Sequence, residues 1–288
     1  MRNSILIVFF LLIQNILLAN EVEHHSLIVK AFSKDGLVKT RLMPLNPTSE
    51  RKKANIQKYE EIKKGRVLKK EANLISHISA KVENEIVFDM SFNPLYLYST
   101  VYKFRDIYKG TNVQYIITDN EKNKKKLDFK FNRRNEQKIP LSERIPNSKN
   151  SVIKFRKTKP KIWRSNNIQQ AITELYGSNI DIIEDKINLK IPKNVVCNHQ
   201  IVISISSNMD LESLAIFVDK VPGITLAAFS FSRFSVIDYK LGLSLYNGRP
   251  LNGKKYTVTI VGKSRDGKFY KATSKGFLSP DLTYDSCL

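Results

Sequence analysis

The chain has 288 residues, of which 42% are hydrophobic and 10% aromatic. That apolar content is enough for a packed core and excludes global disorder. Lys and Arg total 48 against 27 Asp and Glu, a formal net charge of +21 that would suit nucleic acid, an acidic membrane surface or other anionic partners.

The chain opens MRNSILIVFFLLIQNILLANEVEHH. Arg2 precedes an apolar run from Ile5 to Leu18, broken only by Gln14 and Asn15, and Ala19 leads into a charged segment. This is the layout of a secretory signal peptide over residues 1–19, with cleavage after Ala19. An uncleaved anchor is the alternative, but the run is short for a span of about 20 residues. Either way the folded part is exported, which removes nucleic acid from the expected partners. No membrane span is expected after cleavage. Solvated Lys-rich faces and loops are the bland account of the charge. Attraction of anionic substrates or acidic partner proteins is the second account, and salt dependence separates the two. In an oxidising compartment the two cysteines, Cys197 and Cys287, suggest one disulfide by default.

In chain order, residues 26–33 and 37–43 are β-rich runs around Asp35-Gly36, a hairpin signal because the turn needs residues that tolerate positive φ. Residues 46–71 form a polar excursion, read as a long loop with a helical turn near 54–62. Strand-like runs resume over 73–82, 84–92, 95–104, 112–118 and 125–131. Leu127, Phe129 and Phe131 alternate with Lys126, Asp128 and Lys130, the pattern of a half-buried antiparallel strand. Seven short strands with turns between them predict a β-sandwich over residues 22–132. Residues 133–161 are basic and without consistent period, and read as a partly extended linker.

A second unit runs over 162–278. Its one clear helix carries the apolar stripe Ile168, Ala171, Ile172 and Leu175, with Asn167 able to cap it and Gly177 able to end it. Strand-like runs follow to Leu278, with hairpin signals at Asn247-Gly248, Asn252-Gly253 and Asp266-Gly267. The expected fold is all-β: two sandwich domains in tandem, one short helix opening the second, and a C-terminal arm over 279–288 that Pro280 helps keep out of strand pairing.

Enzymatic signatures are absent. There is no glycine-rich phosphate loop, no Cys-x-x-Cys pair and no His-Glu-x-x-His helix. His24 and His25 stand near the start of the mature chain. His77 lies in an alternating strand and reads as a packing or surface residue. His199 is two residues from Cys197, but without further soft ligands the pair makes an incomplete metal site, so neither metal nor cofactor is expected. Trp163, the one tryptophan, reads as a core anchor. The chain is not expected to be an enzyme in its own right.

The second unit resembles SoxY, the sulfur-carrying subunit of the periplasmic thiosulfate-oxidising system. The resemblance rests on Trp163-Arg164, the helix AITELYG, INLKIPKNVVCNHQIVISIS, SLAIFVDKVPGITLAAFSFS, YKLGLSL and SRDGKFYKATSKGFL, in that order. The first unit resembles SoxZ, the carrier's partner subunit, most locally at Ser91-Phe92-Asn93-Pro94 and Thr118-Asp119-Asn120. The chain is thus similar to a SoxZ–SoxY fusion, and the resemblance implies two immunoglobulin-like sandwiches and a periplasmic location. It also implies that Cys287 holds sulfur covalently. A cysteine there is conjugated oxidatively to thiosulfate, the outer sulfone leaves as sulfate, and the remaining persulfide is oxidised further. The implied partners are a Sox-type c-type cytochrome, a sulfate-releasing hydrolase and a sulfane dehydrogenase. From Gly276 to Cys287 an extended tail reaches about 35 Å at roughly 3.3 Å per residue.

The arm departs from the family's Gly-Gly-Cys-Gly-Gly: it reads Tyr284-Asp285-Ser286-Cys287-Leu288. Tyr284 is bulky for a channel tuned to glycine. Asp285 and the terminal carboxylate disfavour the thiolate. The alternative to the carrier is a binding or scaffold protein with a structural Cys197–Cys287 disulfide. Cys197 also qualifies as a redox partner that protects the carrier thiol.

Overall fold

A computed structural model of the chain describes residues 28–34, 36–43, 45, 74–83, 85–107, 112–119, 122–130, 153–184, 186–195, 201–221, 223–243 and 255–279. The predicted leader, the predicted 54–62 helical turn, most of the predicted linker, the Asn247-Gly248 and Asn252-Gly253 signals and the predicted arm beyond Ser279 lie outside these residues.

The chain is all-β, with two sheets and few helices. The first half contributes β1 (Ile28–Lys34), β2 (Leu37–Met43), β3 (Ile75–Val82), β4 (Glu85–Phe92), β5 (Leu97–Arg105), β6 (Asn112–Asp119) and β7 (Lys124–Lys130). The second half opens with α1 (Phe155–Thr158), a 3-10 turn (Pro160–Trp163) and α2 (Ile168–Tyr176). It continues with β8 (Ile182–Glu184), β9 (Asn188–Lys190), β10 (Asn194–Val195), β11 (Ile201–Ser206), β12 (Leu211–Val218), β13 (Thr225–Ser230), β14 (Ser235–Leu243), β15 (Lys255–Ser264) and β16 (Phe269–Leu278).

Turn chemistry sets the hairpins. The β1–β2 pair closes with Lys34 opposite Leu37 and Gly36 at φ +67°, and the β15–β16 turn holds Gly267 at φ +87°, both backbone states that L side chains resist. Asp119 fixes the β6–β7 turn: its Oδ1 accepts from the Asn123 N–H at 2.9 Å and its Oδ2 from Asn123 Nδ2 at 3.0 Å. Helix α2 starts and stops where its sequence says. Asn167 Oδ1 accepts from the N–H groups of Gln169 and Gln170 at 2.8 and 3.2 Å, and Gly177 ends the helix at φ +105°.

Both halves feed the same two sheets. The six-stranded sheet runs β1-β2-β5-β14-β11-β9 and the ten-stranded sheet runs β10-β16-β15-β12-β13-β4-β3-β6-β7, with β8 also on β16. The tandem halves are therefore joined edge to edge at two ladders. β4 meets β13 with Phe92 opposite Ala227, and β5 meets β14 with Thr100 opposite Leu241. Asn93, in the Ser91–Pro94 step, is buried at this seam. Its backbone N–H donates to Leu226 O at 2.8 Å and its Nδ2 to Gly223 O at 3.2 Å.

Aromatic rings fill the space between the sheets at the seam. Phe88 on β4 stacks on Tyr102 on β5 with centroids 3.9 Å apart, and Phe229 on β13 stacks on Tyr239 on β14 at 4.9 Å. Phe88 also meets Phe229 edge-on at 6.2 Å, so the ring cluster crosses from one half to the other. The Tyr102 and Tyr115 hydroxyls share a buried hydrogen bond of 3.0 Å.

A smaller core lies on the opposite face of the ten-stranded sheet. There Ile162, Trp163, Ala171, Ile172 and Leu175 cover Ala215, Phe217, Ala228 and Val261. Strands β12, β13 and β15 are thus buried on both faces, which is why their sequences run apolar without alternation. The end of the predicted linker belongs to this layer and is not extended. Phe155 is 1% exposed under α1, Ile153 N–H donates to Ser230 Oγ at 2.9 Å, and the Arg156 guanidinium lies 4.1 Å over the Trp163 ring and donates to Phe92 O. Phe155 supplied the missed signal, an apolar ring one helical turn ahead of Lys159-Pro160 in a basic run.

Candidate functional site at the root of the C-terminal arm

The predicted site rests on Cys287, and the last described stretch before it is β16. Along one side β16 pairs with β15, from Phe269 opposite Lys263 to Phe277 opposite Lys255. Along the other side its two ends meet different short strands. β8 pairs with Phe269–Lys271, and β10 runs parallel with Asn194 opposite Phe277 and Val195 opposite Leu278. The Phe277 N–H donates to Lys193 O at 2.8 Å and the Ser279 N–H to Val195 O at 2.9 Å. The end of β16 is therefore paired on both sides up to Phe277 and hydrogen-bonded to the β10 segment up to Ser279.

Tyr256 locks this root from above. A Cβ built on Gly276 would sit 2.4 Å from Tyr256 Cζ, so the ring lies directly on the glycine backbone and no side chain fits beneath it. Across that gap the Tyr256 hydroxyl donates to Pro192 O at 3.2 Å, joining β15 to the segment that leads into β10. Burial pushes the Tyr256 phenol up to about 12, so it stays a donor through neutral pH. Gly276 and Tyr256 are the positioning residues that sequence reading missed. The only hint was a glycine two residues before the end of an otherwise regular strand.

Parallel pairing has a consequence for the thiols. Cys197 stands two residues beyond Val195 in sequence, and Cys287 stands nine beyond Leu278. Two residues span at most about 7 Å and nine about 30 Å. β10 and β16 thus end side by side at one sheet edge and point in the same direction, ahead of the two cysteines in sequence. Cys197, Cys287, His24, His25 and His199 themselves lie outside the described residues.

The other predicted residues are placed as follows. His77 on β3 is half-buried and its Nε2 lies 3.0 Å from Oδ2 of the buried Asp89 on β4. It is part of sheet packing and stands apart from the arm root. Trp163 is buried in the layer under α2. Among the described residues no group of three His, Cys, Asp or Glu side chains is arranged to hold a metal ion. Surface clefts are found among the described residues, two of which have lining groups of note. One of about 510 Å³ lies beside the N-terminus of α2, between Asn166, Asp219 and Lys220. The other, about 350 Å³, lies near the seam between Arg105, Met209, Asp210 and Arg233. In the first, Asn166 Oδ1 accepts from the Gly223 N–H at 3.3 Å and Asp219 Oδ1 from the Thr257 N–H at 2.6 Å, so these groups hold loops.

No protein-family model and no curated protein matches the sequence. Among solved structures the chain is a weak structural neighbour of the sulfur carrier protein SoxY from Chlorobium limicola f thiosulfatophilum. The TM-score is 0.32 at 18% identity, over 39% of this chain and 96% of that one. A tetra-tandem repeat from the extending region of a large adhesion protein matches at TM-score 0.26 and 9% identity, over 88% of this chain and 50% of that one. A 1.5-MDa bacterial ice-binding adhesin matches at 0.22 and 8%, over 88% and 66%. At these scores none of the three establishes shared chemistry, and the functional argument rests on the chain's own residues.

Proposed function

We propose that the chain is an exported sulfur-compound carrier, a SoxZ–SoxY-like fusion that holds thiosulfate-derived sulfur on Cys287 and presents it to visiting enzymes in the periplasm. The observation that carries this reading is the arm root: β16 ends in a fixed, hydrogen-bonded edge, and Cys287 follows it nine residues on. A thiol nine residues beyond a fixed strand end has a reach of about 30 Å when extended, enough to enter another protein's active site.

The chemistry balances with partners of stated class. The Cys287 thiolate and thiosulfate form an S–S bond to give Cys–S–S–SO₃⁻, and two electrons pass to a c-type cytochrome. Water then cleaves the S–SO₃ bond, releasing sulfate and two protons and leaving a cysteine persulfide. A sulfane dehydrogenase then removes six electrons from the terminal sulfur and passes them to a c-type cytochrome, while three waters supply its oxygens and six protons leave, giving Cys–S–SO₃⁻. Hydrolysis of that S–SO₃ bond releases a second sulfate and restores the thiol.

A second reading draws on the β10–β16 register, which starts both cysteine-bearing segments from neighbouring positions. It is a binding or scaffold protein stapled by Cys197–Cys287. One experiment separates the two: intact mass and tail-peptide mapping of the mature protein, isolated without reductant. The carrier reading expects a thiosulfonate, sulfonate or sulfane adduct on Cys287, or a free thiol there that loads with thiosulfate and an oxidising partner. A tail peptide linked to the Cys197 peptide, with no loading after reduction, would overturn it.

A further inference from the structure

The charge of the chain is not spread evenly over its two sheets. On the outer face of the six-stranded sheet the exposed side chains of the described strands are Lys30, Lys39, Arg41, Lys190 and Lys240, with Asn188 and Val202. Asp238, which pairs with the half-exposed Lys103, is the only carboxylate on those strands among the described residues. Lys30, Arg41, Lys190 and Lys240 make no ion pair among the described residues. On the ten-stranded sheet, by contrast, Lys263 and Lys271 meet Glu212 and Glu184 at 3.0 and 2.9 Å.

Register lines these cations up. Lys30 lies opposite Arg41, Arg41 opposite Val101, Val101 opposite Lys240, Lys240 opposite Ser204, and Ser204 opposite Lys190. Paired residues project to the same side of a sheet, so the six form one row across all six strands, about 24 Å long at roughly 4.8 Å per strand. Directly opposed like charges such as Lys30 and Arg41 destabilise a sheet. A row that carries this cost with no counter-charge among the described residues is complementary to a negative charge from outside.

We propose that this row docks a linear acidic polysaccharide. Each rival occupant lacks something the face would need. A folded protein partner needs an apolar centre to its interface, and Val202 is the one exposed large apolar side chain here. Single-stranded nucleic acid needs exposed rings for stacking, and none is among the exposed side chains of this face. A duplex groove admits a helix or a two-stranded ribbon, which a six-stranded face is not. A bilayer is flat, whereas the twist accumulated over six strands turns the ends of the row away from any one plane. A second copy of the chain presents the same positive sign. A flexible linear polyanion follows a twisted row, and its carboxylates or sulfates meet Lys and Arg in succession.

The test uses the full mature chain and fluorescence anisotropy with labelled polygalacturonate oligomers at low ionic strength, with neutral amylose oligomers as control. Native protein is expected to bind the acidic oligomer alone, with affinity falling as salt rises. Lys30→Gln/Arg41→Gln/Lys240→Gln is expected to weaken binding by about tenfold or more. Lys124→Gln/Lys126→Gln/Lys130→Gln, an equal loss of charge from the exposed face of edge strand β7, is expected to change it by less than about threefold. Unaltered circular dichroism shows that both variants are folded. Absence of binding by native protein, equal weakening by the two variants, or tighter row-dependent binding of duplex DNA or phosphatidylglycerol vesicles would each overturn the proposal. No cysteine enters the test, so its outcome is independent of the carrier reading.

Discussion

Val195 and Leu278 lie opposite each other in parallel register, and the Ser279 N–H donates to the Val195 carbonyl at 2.9 Å. The strands that precede the two cysteines therefore end at one edge, and the carrier reading makes a definite statement about the thiols' redox state. Cys287 is expected to react with an alkylating agent in the native, unreduced protein. Cys287→Ser is expected to abolish loading without changing the melting temperature, and Cys197→Ser to leave loading intact. A Cys197–Cys287 bond would close a loop of about 90 residues and stabilise the fold by about 4–5 kcal/mol. A melting temperature that falls by several degrees on adding reductant would therefore identify the staple and exclude the free carrier thiol.

The contact between Tyr256 and Gly276 predicts a large effect from a small change. Gly276→Ala must displace the Tyr256 ring, since its Cβ would sit 2.4 Å from Cζ, and with it the hydrogen bond to Pro192 O. The expected cost is about 2–3 kcal/mol, measured by denaturant unfolding. Tyr256→Phe loses only the hydrogen bond, about 1 kcal/mol. In a Tyr256→Ala background Gly276→Ala should cost much less, because the clashing ring is gone. Additive costs in that double-mutant cycle would show that the two residues do not act on each other.

Alkaline pH is expected to unfold the chain cooperatively. Burial raises the phenols of Tyr102, Tyr115, Tyr176, Tyr239 and Tyr256 above their ordinary value, Tyr256 to about 12 and Tyr115, Tyr176 and Tyr239 further. A raised folded-state value means that the native state keeps a proton the unfolded state gives up. The stability so conferred is complete below about pH 10 and is lost as pH climbs from there through the folded values. Each such tyrosine steepens the loss by about 1.4 kcal/mol per pH unit in that window. Tyrosinate absorbance should then appear together with loss of the β-sheet circular dichroism. Ionisation of these phenols well ahead of unfolding would contradict their burial.

Shared sheets predict that the halves unfold as one. β4–β13 and β5–β14 are internal ladders, and Phe88 packs on Tyr102 from its own half and Phe229 from the other. Phe88→Ala is expected to cost about 3–5 kcal/mol and to lower a single transition, monitored both by Trp163 fluorescence and by sheet dichroism. Two separate transitions would mean that each half is a stable unit by itself.

The sequence reading recovered the local elements and missed how they join. Asn167, Gly177, Asp266-Gly267 and the alternation in β7 are local signals, because caps, positive φ and period two are written in neighbouring residues. The seam is not local. Nothing in Phe92 or Ala227 alone says that they face each other 135 positions apart, and an apolar strand edge looks the same in a separate sandwich as in a continuous sheet. The double burial of β12 and β13 was visible as unbroken apolar runs, but the layer that covers them begins at Phe155, inside a stretch whose basic composition masked it. For the candidate site the sequence offers the Cys287 thiol, which lies outside the described residues. The root of its segment was not legible, because the fit of Tyr256 on Gly276 depends on the β15–β16 register rather than on either residue's neighbours.

Lys30 and Arg41 set stability against binding at one pair of positions. They face each other across β1 and β2 with no carboxylate between them among the described residues. Arg41→Glu replaces repulsion by attraction across the pair, and an opposite-charge cross-strand pair contributes roughly 0.2–1 kcal/mol. The variant is expected to be more stable than the native chain by about that amount in urea, and less so as salt is raised, since the pair is exposed and screened. The same substitution inverts one charge of the row and should weaken polygalacturonate binding more than Arg41→Gln does. Stability rising while binding falls is the signature of a cation kept for a ligand. If stability and binding both fall, Arg41 serves the sheet itself through contacts of its long aliphatic stem, and the row has no claim on an external anion.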